Sequence, residues 1–156
     1  MNTDAHWLTL AVDLAVANVA DGGGPFGAAL VADGAFVASG VNRVTPDLDP
    51  TAHAEVVAIR AACRARGDFS LAGGTLYSSC EPCPLCLTAS LWSRLDRIVY
   101  AADRFDAAQA GFDDLRFYEL MAVRREALPL RVERLAVRDC GLPFAAWAAK
   151  PDRVPY

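Results

Sequence analysis

The sequence predicts an α/β fold in which five strands form one mixed sheet flanked by helices. Apolar periodicity alternates between helical and strand patterns along the chain, and the later strands are separated by helices in a βαβ rhythm. The chain has 156 residues, which is enough for one domain with its own core. We therefore expect a single domain over residues 1–156.

Each predicted element follows from periodicity and from turn or cap signals. The elements are a helix at 4–20, strands at 28–32 and 36–41, a helix at 54–66, a strand at 75–79, a helix at 85–93, a strand at 97–101, a helix near 115–122, a strand near 131–135 and a helix near 142–150. Glycines at 22–24 end the first helix, and Asp33-Gly34 indicates a hairpin turn between the first two strands. The strands that follow helices are expected to pair in parallel.

Two short motifs supply three zinc ligands and one carboxylate that is not needed as a ligand. His53-Ala54-Glu55 lies upstream of Pro82-Cys83-Pro84-Leu85-Cys86, the H-x-E and P-C-x-x-C pattern of zinc deaminases. A structural zinc site has four protein ligands, whereas a catalytic site has three and leaves the fourth position to water. His53, Cys83 and Cys86 therefore predict a catalytic zinc site, and Glu55 is predicted to take a proton from water.

Both groups of ligands are predicted to lie at helix N-termini. Cys83 and Cys86 open the helix at 85–93, where the dipole and free amides favour thiolate. His53 and Glu55 lie at the start of the helix at 54–66. In sheets with parallel strands, helix N-termini converge at the carboxyl ends of the strands, so we expect the site there.

Other interpretations of the cysteines remain open. A C-x-x-C pair alone also suits a redox pair or half of a structural zinc knot, but the H-x-E triplet favours the catalytic site. Cys80 is the alternative fourth ligand, although its position at a strand end before Pro82 favours a packed thiol. Cys63 and Cys140 are interpreted as packed thiols as well.

Composition argues against polyanion and membrane partners. The net charge is −4 and the pI is about 5.1, whereas phosphate-backbone binding relies on clustered basic residues. Arginines at 124–138 alternate with acidic residues, which favours a solvated face over a nucleic-acid groove. Charges interrupt every apolar stretch before the ~20 residues of a membrane span. The N-terminus does not resemble a signal peptide, so we expect a cytoplasmic protein with cysteine thiols.

Further segments carry a family resemblance. They are Gly23-Gly24-Pro25-Phe26-Gly27-Ala28, Asn42, Asp49-Pro50-Thr51, Ser79-Cys80-Glu81, Ala110-Gly111-Phe112-Asp113-Asp114 and the terminal Tyr156. With the zinc motifs, they make the chain resemble the cytidine deaminase superfamily and, within it, the bacterial guanine deaminases, over nearly its whole length. Cytidine deaminases usually carry Cys at the position of His53. Transfer-RNA adenosine deaminases are typically basic and lack the Gly-Phe-Asp-Asp segment with a terminal tyrosine.

The resemblance implies a three-layer α-β-α fold, a zinc cofactor and hydrolysis of guanine to xanthine and ammonia. It assigns proton transfer to Glu55 and Asp114, although Asp114 also suits a helix cap. It further implies a homodimer in which a segment of about 141–156 crosses to the partner subunit.

The resemblance also implies a set of substrate contacts. These are Phe26, Asn42, the backbone of Ala54, Trp92 and Tyr156, with Tyr156 closing the partner's pocket. Asn42 offers a donor and an acceptor to a ring edge, and Phe26 and Trp92 can cover ring faces. Phe26 also suits a residue that only packs the loop.

Three residues depart from the pattern of the family. Leu85, Thr88 and Leu91 stand around and after the second cysteine, where other residue types are common. This departure leaves cytosine, isoguanine and an amino-triazine as alternative substrates. A nucleic-acid editing deaminase and a non-catalytic zinc-stabilised interaction protein are the alternatives from other classes.

Overall fold

A computed structural model describes residues 3–135 and 137–155, and the chain divides into two compact units at Met121 and Ala122. The first unit contains α1 (Asp4–Ala20), β1 (Gly27–Ala32), β2 (Ala35–Val41), α2 (Val44–Asp47), α3 (Ala54–Arg66), β3 (Gly74–Cys80), α4 (Pro84–Trp92), β4 (Arg97–Ala102), α5 (Arg104–Gln109) and α6 (Asp114–Met121). The second unit contains a 3-10 turn at Arg125–Ala127 and α7 (Leu142–Ala149).

The sheet of the first unit has the order β2-β1-β3-β4. β1 pairs antiparallel with β2 and β3, whereas β3 and β4 pair in parallel, as predicted for strands joined by a helix. Asp33 and Gly34 have φ angles of 52° and 74°. Positive φ at both central residues is what a tight two-residue hairpin turn requires, so the predicted β1–β2 hairpin is confirmed.

Helices cover both faces of this sheet at short range. A Cβ atom on Gly27 of β1 would lie 2.4 Å from the carbonyl oxygen of Ala11 in α1. A Cβ atom on Gly40 of β2 would lie 2.3 Å from the carbonyl oxygen of Ala54 in α3. Gly40 is opposite Ala28, the neighbour of Gly27 in β1, so the two glycines face opposite sides of the sheet. The α/β prediction is confirmed.

The core fixes the strand and helix that carry the site. Leu30, Leu71 and Leu76 are fully buried between the sheet and α3, and burying a leucine contributes about 1.5–3 kcal/mol. On the other face, Trp7 of α1 packs with Val31 of β1 and with Tyr77 of β3. β3 and the N-terminus of α3 are therefore held on both sides.

The predicted fifth strand is wrong. The part of the chain that the structure describes contains four strands, and residues 131–135 are irregular. Val132 and Leu135 are 45% and 85% exposed, so the apolar side chains of this segment do not bury a face. Arg131 instead forms an ion pair with Glu133, its neighbour two residues along. The sequence analysis also missed the short helices α2 and α5.

Among the described residues, no helix combines the length and the apolar character needed to cross a bilayer.

Candidate active site

The three predicted zinc ligands lie at the N-termini of α3 and α4. His53 is the N-cap residue of α3 and Cys83 that of α4, and both have extended backbone angles. Pro84 follows at the first helical position, which its fixed φ favours. Neither N-cap side chain makes a capping hydrogen bond to the backbone of its helix, so the imidazole and the thiol are free to converge with Cys86, in the first turn of α4.

The distances among these side chains fit a zinc ion. Nδ1 of His53 lies 3.5 Å from Sγ of Cys83 and 3.5 Å from Sγ of Cys86, and the two sulfurs are 3.7 Å apart. Tetrahedral zinc with ordinary bond lengths separates a sulfur from a nitrogen by ~3.5 Å and two sulfurs by ~3.8 Å. Within the described residues, these three side chains form the one cluster suited to a metal.

The electrostatics of the cluster favour a cation. The hydrogen bond shared with Cys86 and the proximity of His53 lower the pKa of Cys83 to about 4. The same hydrogen bond and burial raise the pKa of Cys86. The pair of thiols therefore loses one proton readily, and a metal ion that binds both sulfurs displaces the other.

Glu55 lies beside the ligands but does not belong to the cluster. Its carboxyl is buried at 6% exposure; Oε1 accepts a hydrogen bond of 3.1 Å from Ser78 and Oε2 one of 3.4 Å from Cys86. Burial raises the pKa of this carboxyl, which suits a group that exchanges protons near neutral pH. Ser78, at 1% exposure on β3, orients Glu55 and was missed by the sequence analysis because an interior strand serine has no motif.

Cys80 lies close to the cluster but is used differently. Its thiol donates to the backbone carbonyl of Asp103 at 3.5 Å, and burial raises its pKa to about 12. Its sulfur also lies outside the group of ligand atoms within 4.8 Å of one another, which contains only His53, Cys83 and Cys86 of the described residues, so the structure does not place Cys80 as a fourth ligand.

A cavity of about 260 Å³ opens in front of His53, Glu55 and Cys83. Its volume is slightly below the ~300–1,000 Å³ typical of pockets for drug-sized ligands, so it suits one small heterocycle. Further lining residues come from three separate segments: Gly24 and Phe26 before β1, Asn42 after β2, and Phe112, Asp114 and Phe117 from the α5–α6 region.

The rest of the cavity lining is partly aromatic and partly acidic. Phe26 and Phe112 pack edge to face, with ring centroids 4.8 Å apart. Asp114 begins α6, and burial, followed by the charge of Cys83, raises its pKa. Sequence analysis missed Phe112 and Phe117 as lining residues, although Phe112 lies within the Gly-Phe-Asp-Asp segment.

Two predicted contacts lie away from this cavity, and one falls outside the described residues. Ala54 is buried at the start of α3 and does not line the cavity. Trp92 is 58% exposed at the end of α4, six residues after Cys86, so the helix carries it about 9 Å from the metal ligands. Thr88 and Leu91 do not line the cavity either. Tyr156 lies outside the described residues.

A second set of contacts holds the loop before Cys83. Nε and the backbone N–H of Arg104 each donate to Oε2 of Glu81 at 3.0 Å, and the guanidinium lies 3.6 Å from the ring centroid of Tyr118. The hydroxyl of Tyr118 donates to the carbonyl of Pro82. Side chains of α5 and α6 thus support the loop that carries the metal ligand.

A three-ligand zinc site beside a buried carboxylate, at the end of an apolar cavity, defines a zinc-dependent hydrolase. Residues 1–102 match the model of the cytidine and deoxycytidylate deaminase zinc-binding region, and the chain belongs to this family. The matched residues include His53, Cys83 and Cys86, so the predicted zinc cofactor is confirmed.

Individual relatives indicate which branch of this family the chain is similar to. The chain is 47% identical over 151 residues to guanine deaminase from Bacillus subtilis, and the match covers 96% of this chain and 97% of the relative. It is similar to the X-ray structure of guanine deaminase from Bacillus subtilis, with a TM-score of 0.94, 44% identity and coverage of 100% of this chain and 99% of that one.

A second type of relative is also found. The transfer-RNA-specific adenosine deaminase of Buchnera aphidicola is 35% identical over 111 residues, which cover 71% of this chain and 74% of the relative. The similarity to the guanine deaminases is higher and extends further along the chain. The predicted resemblance is therefore confirmed.

Proposed function

We propose that this protein is a zinc-dependent hydrolase that converts guanine and water to xanthine and ammonia. The observation that carries this proposal is the combination of an open zinc site and buried Glu55 with full-length similarity, at 47% identity, to a guanine deaminase. The cavity of about 260 Å³ supports a free base as the substrate.

In this proposal, Glu55 moves the protons. When bound, zinc supplies the Lewis acidity that makes water nucleophilic at neutral pH. Glu55 accepts a proton from the attacking water, whose oxygen bonds to the ring carbon that carries the amino group. Glu55 delivers this proton to the adjacent ring nitrogen. It then takes the remaining proton of the newly attached hydroxyl group and delivers it to the amino group, the C–N bond breaks as the carbonyl forms, and ammonia leaves. The Ser78 hydrogen bond holds the carboxyl at the required angle.

The remaining cavity residues would orient the base. Phe26 and Phe112 present apolar surface to a ring face, and Asn42 presents its amide to a ring edge. Asp114, with its raised pKa, would exchange a proton with the amino group that leaves. The resemblance also assigns the backbone N–H of Ala54 to a ring carbonyl, although Ala54 does not line the cavity of the subunit.

We further propose that the active enzyme is a homodimer in which Tyr156 of each subunit closes the partner's pocket. The support is the family resemblance together with the exposed apolar face of α7, where Leu142 and Phe144 are 60% and 78% exposed. An aromatic from a partner would exclude bulk water from the reaction. Trp92, which is exposed within the single subunit, would cover the base from the proposed dimer interface.

The tail has a direct test. Deletion of residues 152–156 should lower kcat/KM at least tenfold while zinc content stays constant. Equal rates for the full-length and shortened chains would refute the closing role. A monomer in light scattering would refute the dimer.

We propose that the protein works in the cytoplasm, because all five cysteines are free thiols.

The proposed activity is tested by ammonia release from the zinc-loaded protein. Guanine, cytosine, isoguanine and an amino-triazine should be compared under identical conditions, and we expect guanine to give the highest kcat/KM. A preference for another base would change the substrate and keep the reaction. Deamination of transfer RNA with salt-sensitive binding, and none of free bases, would favour the editing alternative suggested by the transfer-RNA deaminase relative.

A further inference from the structure

We propose that Asn18, a residue of α1 that does not line the cavity, is a positioning residue for base recognition. It acts by tying the loop of Gly24 to the segment of Asn42 through one amide group. This inference rests on the proposed function, since it concerns how the same cavity binds its base.

The geometry around Asn18 is tight and buried. Its side chain lies in the last turn of α1 at 5% exposure. Nδ2 donates to the carbonyl oxygen of Gly24 at 2.8 Å and to that of Asn42 at 2.8 Å. Both amide hydrogens are therefore used, and the two acceptors belong to the two segments that form one wall of the cavity.

This arrangement explains two adjacent glycines. A Cβ atom on Gly23 would lie 2.3 Å from Nδ2 of Asn18, and one on Gly24 would lie 2.9 Å from Oδ1 of Asn42. Neither Gly23 nor Gly24 has a positive φ, so the turn itself does not demand glycine there. The loop instead passes so close to the two asparagines that a side chain does not fit. This Gly-Gly pair is thus part of the same packing unit as Asn18.

The hydrogen bonds of Asn18 also fix the segment that carries the side-chain amide of Asn42, the proposed contact to the edge of the base. Oδ1 of Asn42 accepts a hydrogen bond of 3.2 Å from the backbone N–H of Val44, which leaves Nδ2 as the donor for the base. The backbone N–H of Asn42 donates to the carbonyl of Phe26 at 3.0 Å. Asn18 therefore holds the backbone on which the edge contact and the face contact are both built.

Loss of this amide should weaken base binding more than chemistry. The zinc ligands and Glu55 lie at the starts of α3 and α4, and none of them bonds to Asn18. In Asn18→Ala, two carbonyl groups lose their donor and the recognition wall loosens. We expect KM to rise about tenfold, with kcat within about threefold of the wild type and zinc content unchanged, as for lost ground-state binding. Asn18→Asp should raise KM further, because a carboxyl oxygen would replace Nδ2 and face both carbonyl oxygens.

A double-mutant cycle separates positioning from general destabilisation. If Asn18 acts through Asn42, then Asn18→Ala should change KM much less in an Asn42→Ala background than in the wild type. Val19→Ala, a change at a 53% exposed residue of the same helix end, is the matched control and should leave KM unchanged. Additive effects in the cycle, an unchanged KM or a fall confined to kcat would each overturn the inference.

A second variant covers the case in which Asn18→Ala does not fold. Gly23→Ala keeps the amide but forces it aside, and it should raise KM in the same way. Wild-type KM for Gly23→Ala would overturn the inference. The proposal that guanine is the substrate is tested separately, because it is refuted if the wild type releases no ammonia from guanine. The KM comparison is then made on whichever base the wild type deaminates.

Discussion

The cavity has a metal end, formed by His53, Glu55, Cys83 and Cys86 with Ser78 behind them, and a recognition wall, formed by Gly24, Phe26, Asn42, Phe112 and Phe117. The two parts are built in opposite ways. The metal end consists of helix N-termini and a buried strand, and its residues Cys86, Glu55 and Ser78 are at most 6% exposed. The recognition wall comes from loops and short helices, and Phe117 within it is 50% exposed. The metal end is thus held by the core, whereas the wall depends on a few polar contacts such as those of Asn18.

This difference assigns chemistry and selectivity to separate parts of the molecule. Substitutions at the metal end should abolish activity on any base, while substitutions in the wall should change which base is bound. The family departures at Thr88 and Leu91 fall in neither part, because both residues lie on α4 away from the cavity lining. They therefore give no reason within the subunit to set guanine aside as the substrate.

The largest effect is expected from loss of a metal ligand. Cys83→Ala should remove zinc and all measurable activity, because two remaining ligands do not hold a catalytic zinc ion. Cys80→Ala should keep one zinc per subunit, since the Cys80 thiol already bonds to the carbonyl of Asp103. Metal analysis of the two purified variants makes the comparison. If both lose zinc equally, Cys80 is a ligand and the open-site assignment is wrong.

Glu55→Gln should keep zinc and the fold but lower kcat by about 10³-fold or more. The amide is close in shape to the carboxyl but does not carry a proton between water and the base. Zinc content and circular dichroism serve as controls, and ammonia release gives the rate. Near-normal turnover by this variant would remove Glu55 from the mechanism.

The metal end was predictable from the sequence because its chemistry is local. His53 and Glu55 are two residues apart, Cys83 and Cys86 three apart, and each pair opens a helix whose start is marked by its own cap residue. The core elements were predictable for the same reason, and the bounds of α1 and α3 match the prediction.

The recognition wall was less predictable because it is assembled from distant segments. Phe26 and Phe112 meet only after the sheet has formed, and the short helix α5 has too few residues for a periodic signal. The false fifth strand at 131–135 had the reverse problem. Its apolar residues Val132 and Leu135 are 45% and 85% exposed, so no face is buried, and burial is a tertiary property.

A smaller effect is expected at Asp114, which lines the cavity and is affected by the charges of Cys83 and His53. Asp114→Asn should lower kcat/KM by about 10²-fold, the lower part of the range for general acid–base groups, if Asp114 exchanges a proton with the leaving amine. The loss should appear in kcat rather than KM. A change in KM alone would show that Asp114 only positions the base, and Asp113→Asn at the neighbouring cavity position is the matched control.

The smallest predicted effect concerns how α1, which carries Asn18, is attached at its other end. Asp4 accepts hydrogen bonds from Arg97 of β4 at 2.7 and 2.9 Å and from the hydroxyl of Tyr77 of β3 at 2.7 Å. These bonds lower the pKa of Asp4 below its ordinary value of 3.8, and the bond from Arg97 has the largest effect. A carboxyl with a lowered folded pKa stabilises the fold above its unfolded pKa and loses that contribution as pH falls through the folded value.

Asp4→Asn should therefore melt at a slightly lower temperature than the wild type at pH 7, and the gap should close as the pH falls below 3.8. The effect is small because both partners are about half exposed and screened by solvent, so 1 M NaCl should reduce it further. Zinc release in acid affects both proteins and cancels in the difference. Asp13→Asn, on the same helix, is the control for loss of a charge. A gap that stays constant from pH 7 to pH 3 would show that Asp4 acts through packing at the start of α1 and not through its charge.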